Sequence, residues 1–519
     1  MRHLKIACCV AVGSLLHSGT ANASDIDTTA VITLPSQATV LKKAPAASPT
    51  VPGATPGNVP AVKPITVSDQ SSQPGPGTST SVLSGGEVVL QAPPPPTKPV
   101  GPLSGLGNYL LDNGIQVGVL IDDFSLDQIH TGLVPHAWMS SGDIKYHLGL
   151  DLDKILDIPN TKINFDETEY ILTHNDFDFV TKSNSFFFPG AGGDQPTMLS
   201  RLSIENFSMD HHLDVEVGRM NPIFNFMMPT FCGLCFNGTQ ARNAIFPGPD
   251  AQVWGGRAAY SLNPHETLQG GLYESDLYDF QNTNGWSFST KHATGYVAVA
   301  NYINETTFLD DTNPLKLEVG MFHNSAQYTD PLANSDGTSH ILNPGGTELV
   351  HRGGKTGAYA QARKAVWSEG GALGNPFAEN LAVYGTLFVT PGPGVSYPLE
   401  AMTGVELSNF IPNQPFWMFG VGLHYAMVGK QQALYEQQMR VVLGGADVST
   451  PRNMLSPGVS LRFPVTDNAI AQVFGEYFIN QDASYIPAAQ RPQDGWFVGL
   501  RFTIDLGKAL GLNAGGLFF

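Results

Sequence analysis

Between Met198 and Asp276, apolar and polar side chains alternate in four runs: MLSRLSIENFS, LDVEVGRMN, QVWGGRAAYSL and TLQGGLYESD. The short segments MDHH and NPHE join the first two and the last two, and a connection of roughly thirty residues separates the pairs. Side chains of a strand point to alternate faces, so each run sorts by parity. Leu202 and Ile204 oppose Arg201, Ser203 and Glu205; Leu213, Val215 and Val217 oppose Asp214 and Glu216; Trp254, Ala258, Tyr260 and Leu262 oppose Gly255 and Arg257. Short turns alternating with long loops are the rhythm of a transmembrane β-barrel, where the polar face lines the lumen and the apolar face meets lipid. A soluble sandwich gives the same parity.

Extended along the chain, the pattern predicts sixteen strands, beginning near 114, 138, 162, 198, 212, 252, 267, 290, 314, 355, 378, 399, 416, 455, 469 and 494. Ile115, Val117, Val119 and Ile121 oppose Gln116, Gly118 and Asp122; Leu315, Leu317, Val319 and Met321 oppose Lys316 and Glu318. Trp417, Phe419, Val421, Leu423 and Tyr425 place rings at both ends of an apolar row, where the aromatic girdles of a membrane barrel sit. Trp496, Val498, Leu500, Phe502, Ile504 and Leu506 oppose Gly499, Arg501, Thr503 and Asp505. The last strand ends near Leu506 or reaches the aromatic Phe519; the sequence leaves both open. Connections after even-numbered strands are mostly short, with DLDKILDI read as a brief helical turn, and those after odd-numbered strands mostly long. An even strand count puts both ends of the barrel chain on the periplasmic side, with the short turns. The fold class is therefore all-β, a transmembrane antiparallel barrel of about sixteen strands, too wide for side chains to fill.

The flanking composition fits export. Residues 1–23 carry Arg2 and Lys5, an apolar run from Ile6 to Leu16 and a small-residue end, Ala21-Asn22-Ala23, which reads as a signal peptide. No later run is long and apolar enough for a transmembrane helix. Residues 24–104 hold fifteen prolines, no aromatic residue, and four acids against four bases. Such a segment cannot bury enough apolar surface to offset its ordering entropy and is expected to be a disordered periplasmic linker, with Pro93–Pro96 favouring polyproline II. It reads as a tether, with contact to peptidoglycan left open. Residues 105–519 form the barrel domain. Removing Arg2 and Lys5 takes the formal charge from −18 to −20, all of it on the barrel, which argues against nucleic acid as a partner. It suits cation bridges to outer-membrane lipid and lipopolysaccharide.

Several pieces, in order, resemble the carbohydrate-selective porin family of OprB type: SGDIKYHLGLDLDKIL near 141, LDVEVGRMN near 213, WGGRAAYSLNPHETLQGGLYES near 254, PLKLEVGMFHNSAQYTDPL near 314, KTGAYAQARKAVW near 355 and FGVGLHYAMV near 419. The resemblance implies a sixteen-stranded outer-membrane porin passing glucose and other small sugars, without cofactor or energy input. Trimeric assembly, common among porins, stays open.

Sugars present hydroxyls and apolar ring faces, so a selective channel needs aromatic platforms and charged hydrogen-bonding groups at a narrow zone. Parity turns Arg201, Glu205, Glu216, Arg257, Gln269 and Tyr273 inward. Arg219 has the outward parity of its strand but lies at its extracellular end, where a bulge or loop would turn it into the mouth; Arg219, Arg257 and Glu216 are the expected narrow zone. The bland alternative for each is a wall charge paired across strands. Cys232 and Cys235 lie in the long 221–251 loop, and an oxidising compartment favours a local disulfide over a redox or zinc site. Phe224, Phe226, Phe231, Phe236 and Phe246 in the same loop suit a segment folded into the lumen. No G-x-S-x-G or H-E-x-x-H occurs, so hydrolase chemistry has no anchor. A general porin, a barrel enzyme and a plugged cell-wall anchor remain as rivals.

Overall fold

The computed structural model describes residues 98–170, 197–210, 212–222, 252–276 and 285–513 except 371, 413 and 484–486, together with 81–83, 87–89, Lys182, Asn225, Phe226 and Thr283. The wall is built from β1 (Ile115–Gln128), β2 (Ala137–Asp151), β3 (Thr161–Tyr170), β4 (Thr197–Ser208), β5 (Leu213–Met220), β6 (Val253–Asn263), β7 (Glu266–Ser275) and β8 (Gly295–Glu305). It continues through β9 (Leu315–Asn324), β10 (Lys355–Ser368), β11 (Asn380–Val389), β12 (Leu399–Ser408), β13 (Met418–Met427), β14 (Asn453–Thr466), β15 (Ala469–Phe478) and β16 (Gly495–Asp505). Each strand pairs antiparallel with its neighbours in sequence, and β16 pairs with β1 in a register that sets Leu500 opposite Ser125 and Asp505 opposite Leu120. The sheet thus closes, leaving no row of unpaired backbone groups for lipid to face. All sixteen expected strands are present; the one expected near 290 begins at Gly295.

The wall is inside out relative to a soluble protein. On β5, Glu216 is 2% exposed while the adjacent Val217 is 57% exposed, and on β4 Glu205 stands at 3% beside Ile204 at 54%. Leu272, Val319 and Met321 are likewise exposed, whereas Lys316 and Glu318 are buried. That inversion separates the barrel from the sandwich that parity alone allowed: the polar faces point into the enclosed lumen and the apolar faces point out. Among the described residues no helix is long and apolar enough to cross a membrane.

Among the described residues, four short helices occupy the ends. α1 (Ser104–Asp112) precedes β1, α2 (Leu152–Leu156) fills the β2–β3 connection where a helical turn was expected, α3 (Lys430–Val442) lies in the β13–β14 connection, and α4 (Leu506–Leu510) follows β16. The last strand therefore stops at Asp505, whose carboxylate accepts from Lys508 N at 2.8 Å and caps α4; Phe519 lies outside the described residues. A two-stranded ribbon, Tyr328–Asn334 with Glu348–His351, packs against α3 through Leu332, Tyr435 and Met439.

Large rings lie flat on the inner wall because glycine stands beside them. Tyr273 covers Gly255 on the neighbouring strand, where an added Cβ would come within 2.2 Å of the ring, and Tyr359 covers Gly320 at 2.4 Å. A larger residue at either glycine would lift the ring into the lumen.

Val319, near the middle of β9 on the lipid face, sets up a direct check. Val319→Arg is expected to destabilise the barrel by about 2–4 kcal/mol, the range for a charge near the bilayer midplane. Denaturant unfolding in phospholipid vesicles measures it, and an unshifted midpoint means that this face does not meet hydrocarbon.

Candidate functional site

The pairing of β3 to β8 brings the polar inner side chains into one ladder. Glu205 and Glu216 sit directly opposite each other, a like-charge pair that repels unless cations bridge it. Arg257, opposite Glu216 on the next strand, supplies one bridge: Nε donates to Glu216 Oε2 at 2.9 Å, Nη2 to Glu205 Oε1 at 2.9 Å, and Nη1 meets Asp214 Oδ2 at 2.7 Å. Arg201 supplies the other. Its Nε donates to Glu216 Oε1 at 2.8 Å, and its Nη2 lies 3.6 Å from Glu205 Oε2 and its Nη1 3.9 Å from Asp166 Oδ2. Ser203 donates to Glu216 at 2.6 Å, Asn164 to Glu205 at 3.2 Å, and His147 meets Asp166 at 2.6 Å. Both guanidiniums thus reach three carboxylates at once, Arg257 those of Glu205, Asp214 and Glu216 and Arg201 those of Asp166, Glu205 and Glu216, an arrangement in which planar arginine outperforms lysine.

The polar lining continues round the barrel. Arg501 grips Asp122 with Nε at 2.9 Å and Nη2 at 2.5 Å, with Thr503 and Lys145 on the same carboxylate at 2.9 and 3.2 Å. Glu318 accepts from Asn301 at 2.6 Å, from Tyr359 at 2.7 Å and from Gln361. Arg363 meets Glu406 at 3.0 Å, and His424 meets Glu400 at 2.7 Å. Towards the long-loop end the inner wall turns apolar in two sectors. One gathers Met198, Met220, Val253, Tyr273, Val297, Val299, Phe322, Tyr359 and Phe388 around Phe226; the other gathers Leu126, Met139, Ala426, Val428, Met454, Phe474, Phe478 and Phe497 around Ala433 of α3.

Phe226 and Ala433 both belong to connections between strands, so segments from two loops rest on the inner wall. Phe226 meets Tyr273 edge to face with centroids 6.2 Å apart, and Gln269 Nε2 donates to Asn225 O at 2.6 Å. The start of the 221–251 loop therefore reaches down to the ladder. Its other phenylalanines, and Cys232 with Cys235, lie outside the described residues.

Of the residues singled out from parity, Arg201, Glu205, Glu216 and Arg257 form one connected network, with Tyr273 and Gln269 beside it under the loop. Arg219 does not join them. Neither bulge nor loop turns it inward: it pairs with Leu202 and Trp254, both on the outer face, and its Nη2 donates to Gln252 O at 2.5 Å. Trp254 and Phe288 cover its guanidinium at 5.8 and 5.5 Å, and Glu274 lies 3.8 Å away. A covered cation on the outer wall at this end packs against aromatic rings and leaves the lumen to others. Asp214, Asp166 and Ser203 belong to the ladder although parity reasoning singled none of them out. The Asp122–Arg501 pair was also passed over; its signal was present in the closure of the barrel, which makes the first and last strands neighbours. Among the described residues no group of three or more His, Cys, Asp or Glu could hold a metal ion.

α3 carries a second buried acid, outside the membrane-spanning strands. Glu436 accepts from Gln432 at 2.9 Å and from Ala483 N at 3.1 Å, and shares a hydrogen bond with Asp482, which accepts from Tyr397 OH at 2.7 Å. Arg440, one turn on, directs its guanidinium to Val448 O and Thr450. Burial, and then the Asp482 carboxylate, push Glu436 well above the ordinary glutamate value of 4.5.

The family model for the carbohydrate-selective porin, OprB family, matches residues 136–459. The high-pH structure of Pseudomonas putida OprB superposes with a TM-score of 0.67 at 18% identity, covering 79% of this chain and 98% of that one, which shows a shared fold. The low-pH structure of the same protein gives 0.47 at 14% identity over 79% and 98%, and OmpT of Vibrio cholerae gives 0.40 at 8% identity over 75% and 98%. Comparison with curated proteins gives no match.

Two outcomes follow from the charges. Arg257→Ala leaves Glu205, Asp214 and Glu216 with Arg201 as their remaining arginine, so the reversal potential in a potassium chloride gradient is expected to shift towards cation preference; an unmoved potential places the ladder outside the current path. Because folding raises the Glu436 value, its contribution to the packing of α3 is full below about pH 4.5 and fades as pH climbs through the raised value. Amide exchange in 430–442, corrected for intrinsic rates, is expected to speed up with rising pH in the native protein and to lose that dependence in Glu436→Gln.

Proposed function

We propose, because the chain belongs to the OprB family of carbohydrate-selective porins, that it is a passive outer-membrane channel for small sugars such as glucose. The observation that carries this reading is the Arg201–Glu216–Arg257–Glu205 ladder lying directly below an aromatic sector. A sugar hydroxyl both donates and accepts, so a wall that alternates guanidinium and carboxylate offers each hydroxyl a charge-assisted partner in either sense. Tyr273 and Phe226 add ring surface for the apolar face of a pyranose. Because both arginines are already bonded, a passing sugar exchanges hydrogen bonds with the wall and meets no stripped charge, which keeps binding weak enough for release.

Transport on this reading runs down a gradient, with no cofactor, no energy input and no catalytic step. Residues 1–23 serve as an export signal and 24–104 as a periplasmic linker, with the short turns on the same side. A general pore for small solutes is the competing outcome.

Planar-bilayer recording separates the two. Current through the purified protein is expected to fall in a saturable way as glucose is added, and liposomes containing it to swell faster in a monosaccharide than in a neutral non-sugar of equal size. Current and swelling indifferent to the sugar leave the general pore as the function.

A further inference from the structure

At the short-turn end of the barrel, α1 and α2 present a group of large apolar side chains on the surface. Leu103, Leu106 and Tyr109 of the α1 segment, and Ile155, Leu156 and Ile158 of the α2 segment, are all exposed, Tyr109 and Leu156 by more than 60%. These residues do not dangle. Leu103 N donates to Leu510 O at 2.8 Å, and Gly107 lies so close to the turn after α4 that an added Cβ would stand 2.1 Å from Gly511 O. Lys154 Nζ donates to Leu111 O at 3.0 Å, tying α2 to α1, and Asp151 caps α2 by accepting from Asp153 N at 3.1 Å. The chain holds two helices rigidly in place while leaving their apolar faces outward, which forgoes the free energy that burying them would release.

We propose that α1 and α2 form a foot seated in the periplasmic leaflet of the outer membrane, its partner being the phospholipid surface. Continuity with the lipid-facing wall is the reason. The outward row of β1, Ile121, Val119, Val117 and Ile115, descends to Asn113 and Gly114, where α1 ends; the outward row of β2, Leu148 and Leu150, descends to Leu152, where α2 begins. The exposed side chains extend those two rows past the ends of the strands. Tyr109 carries a phenol suited to the headgroup level, and Asp112, Asn113 and Lys154 give the surface a polar edge. The foot sits where the chain enters its first strand, so it fixes the point at which the preceding segment leaves the membrane surface. The inference needs the outer-membrane barrel but not the sugar reading.

Leu106→Trp and Leu156→Trp, each in the full chain, report on the two helices separately, with Ile158→Trp in reserve should either fail to fold. In vesicles of phosphatidylethanolamine and phosphatidylglycerol brominated at acyl positions 6 and 7, the emission added over the parent protein is expected to be quenched by the lipid. Its acrylamide quenching constant is expected to be about threefold or more below that of free indole, as for a ring at the headgroup and acyl boundary. Acrylamide access without lipid quenching would place the helices in water and overturn the proposal. Protection from both quenchers would mean that protein covers the surface, and would overturn it equally.

Discussion

Backbone hydrogen bonding in hydrocarbon is the constraint from which the rest of this molecule follows. Lipid offers no partner to an unpaired N–H or C=O, so a sheet that spans it must close. The closing seam here is β16 against β1, nine residue pairs from Phe497 opposite Gln128 to Asp505 opposite Leu120. The two faces also restrict register, because a slip of one residue would turn every Glu and Arg of a strand towards lipid. The ladder of Arg201, Glu205, Glu216 and Arg257 is thus a consequence of the same pairing that makes the wall. Residues far apart in sequence meet because the observed pairing sets Glu205 opposite Glu216 and Glu216 opposite Arg257.

The lumen is divided by the same logic. Paired charges occupy the middle of the inner wall, where side chains from neighbouring strands can reach one another, and apolar sectors occupy the end that bears the long loops. An apolar inner wall in contact with water costs free energy, and the loops relieve it: Phe226 covers one sector and α3, through Ala433, the other. Loops seated inside the mouth are therefore part of the packing of the wall. Rings flattened over glycine, as Tyr273 over Gly255, keep the wall thin where the loops descend.

Much of this was legible in the sequence because a barrel strand carries its own orientation in a period of two. Parity placed Glu216 and Arg257 on one face and Val217 and Trp254 on the other without reference to any other strand. What parity cannot give is the height at which one strand stands against the next, and that decided the misses. Asp122 and Arg501 were each assigned to the inner face, but their contact depends on the seam between the chain's first and last strands. Asp214 was on the inner face as well, and its bond to Arg257 depends on guanidinium reach across β5 and β6. Arg219 went wrong for a different reason. Its parity was outward, and the notion that a bulge would redirect it gave a charged side chain no way to satisfy itself outside; the 285–288 segment does so, bringing Phe288 over it from a distant part of the chain.

On the proposed channel reading, the balance of the ladder bears on what can pass it. Two guanidiniums among four carboxylates leave a modest negative excess rather than a single-signed ring, and interleaved charges at hydrogen-bonding distance cancel each other's field within a few ångströms. A ring of one sign would hold counter-ions tightly and repel co-ions, selecting by charge; an interleaved wall presents steep local gradients but little net potential. An ion gains little from such a surface and loses part of its hydration shell in approaching it. A neutral polyol gains from every donor and acceptor it meets and carries no Born penalty. On the channel reading proposed above, strong pairing within the wall is what lets a charged lining favour an uncharged solute, and the register of a closed sheet is what holds that pairing in place.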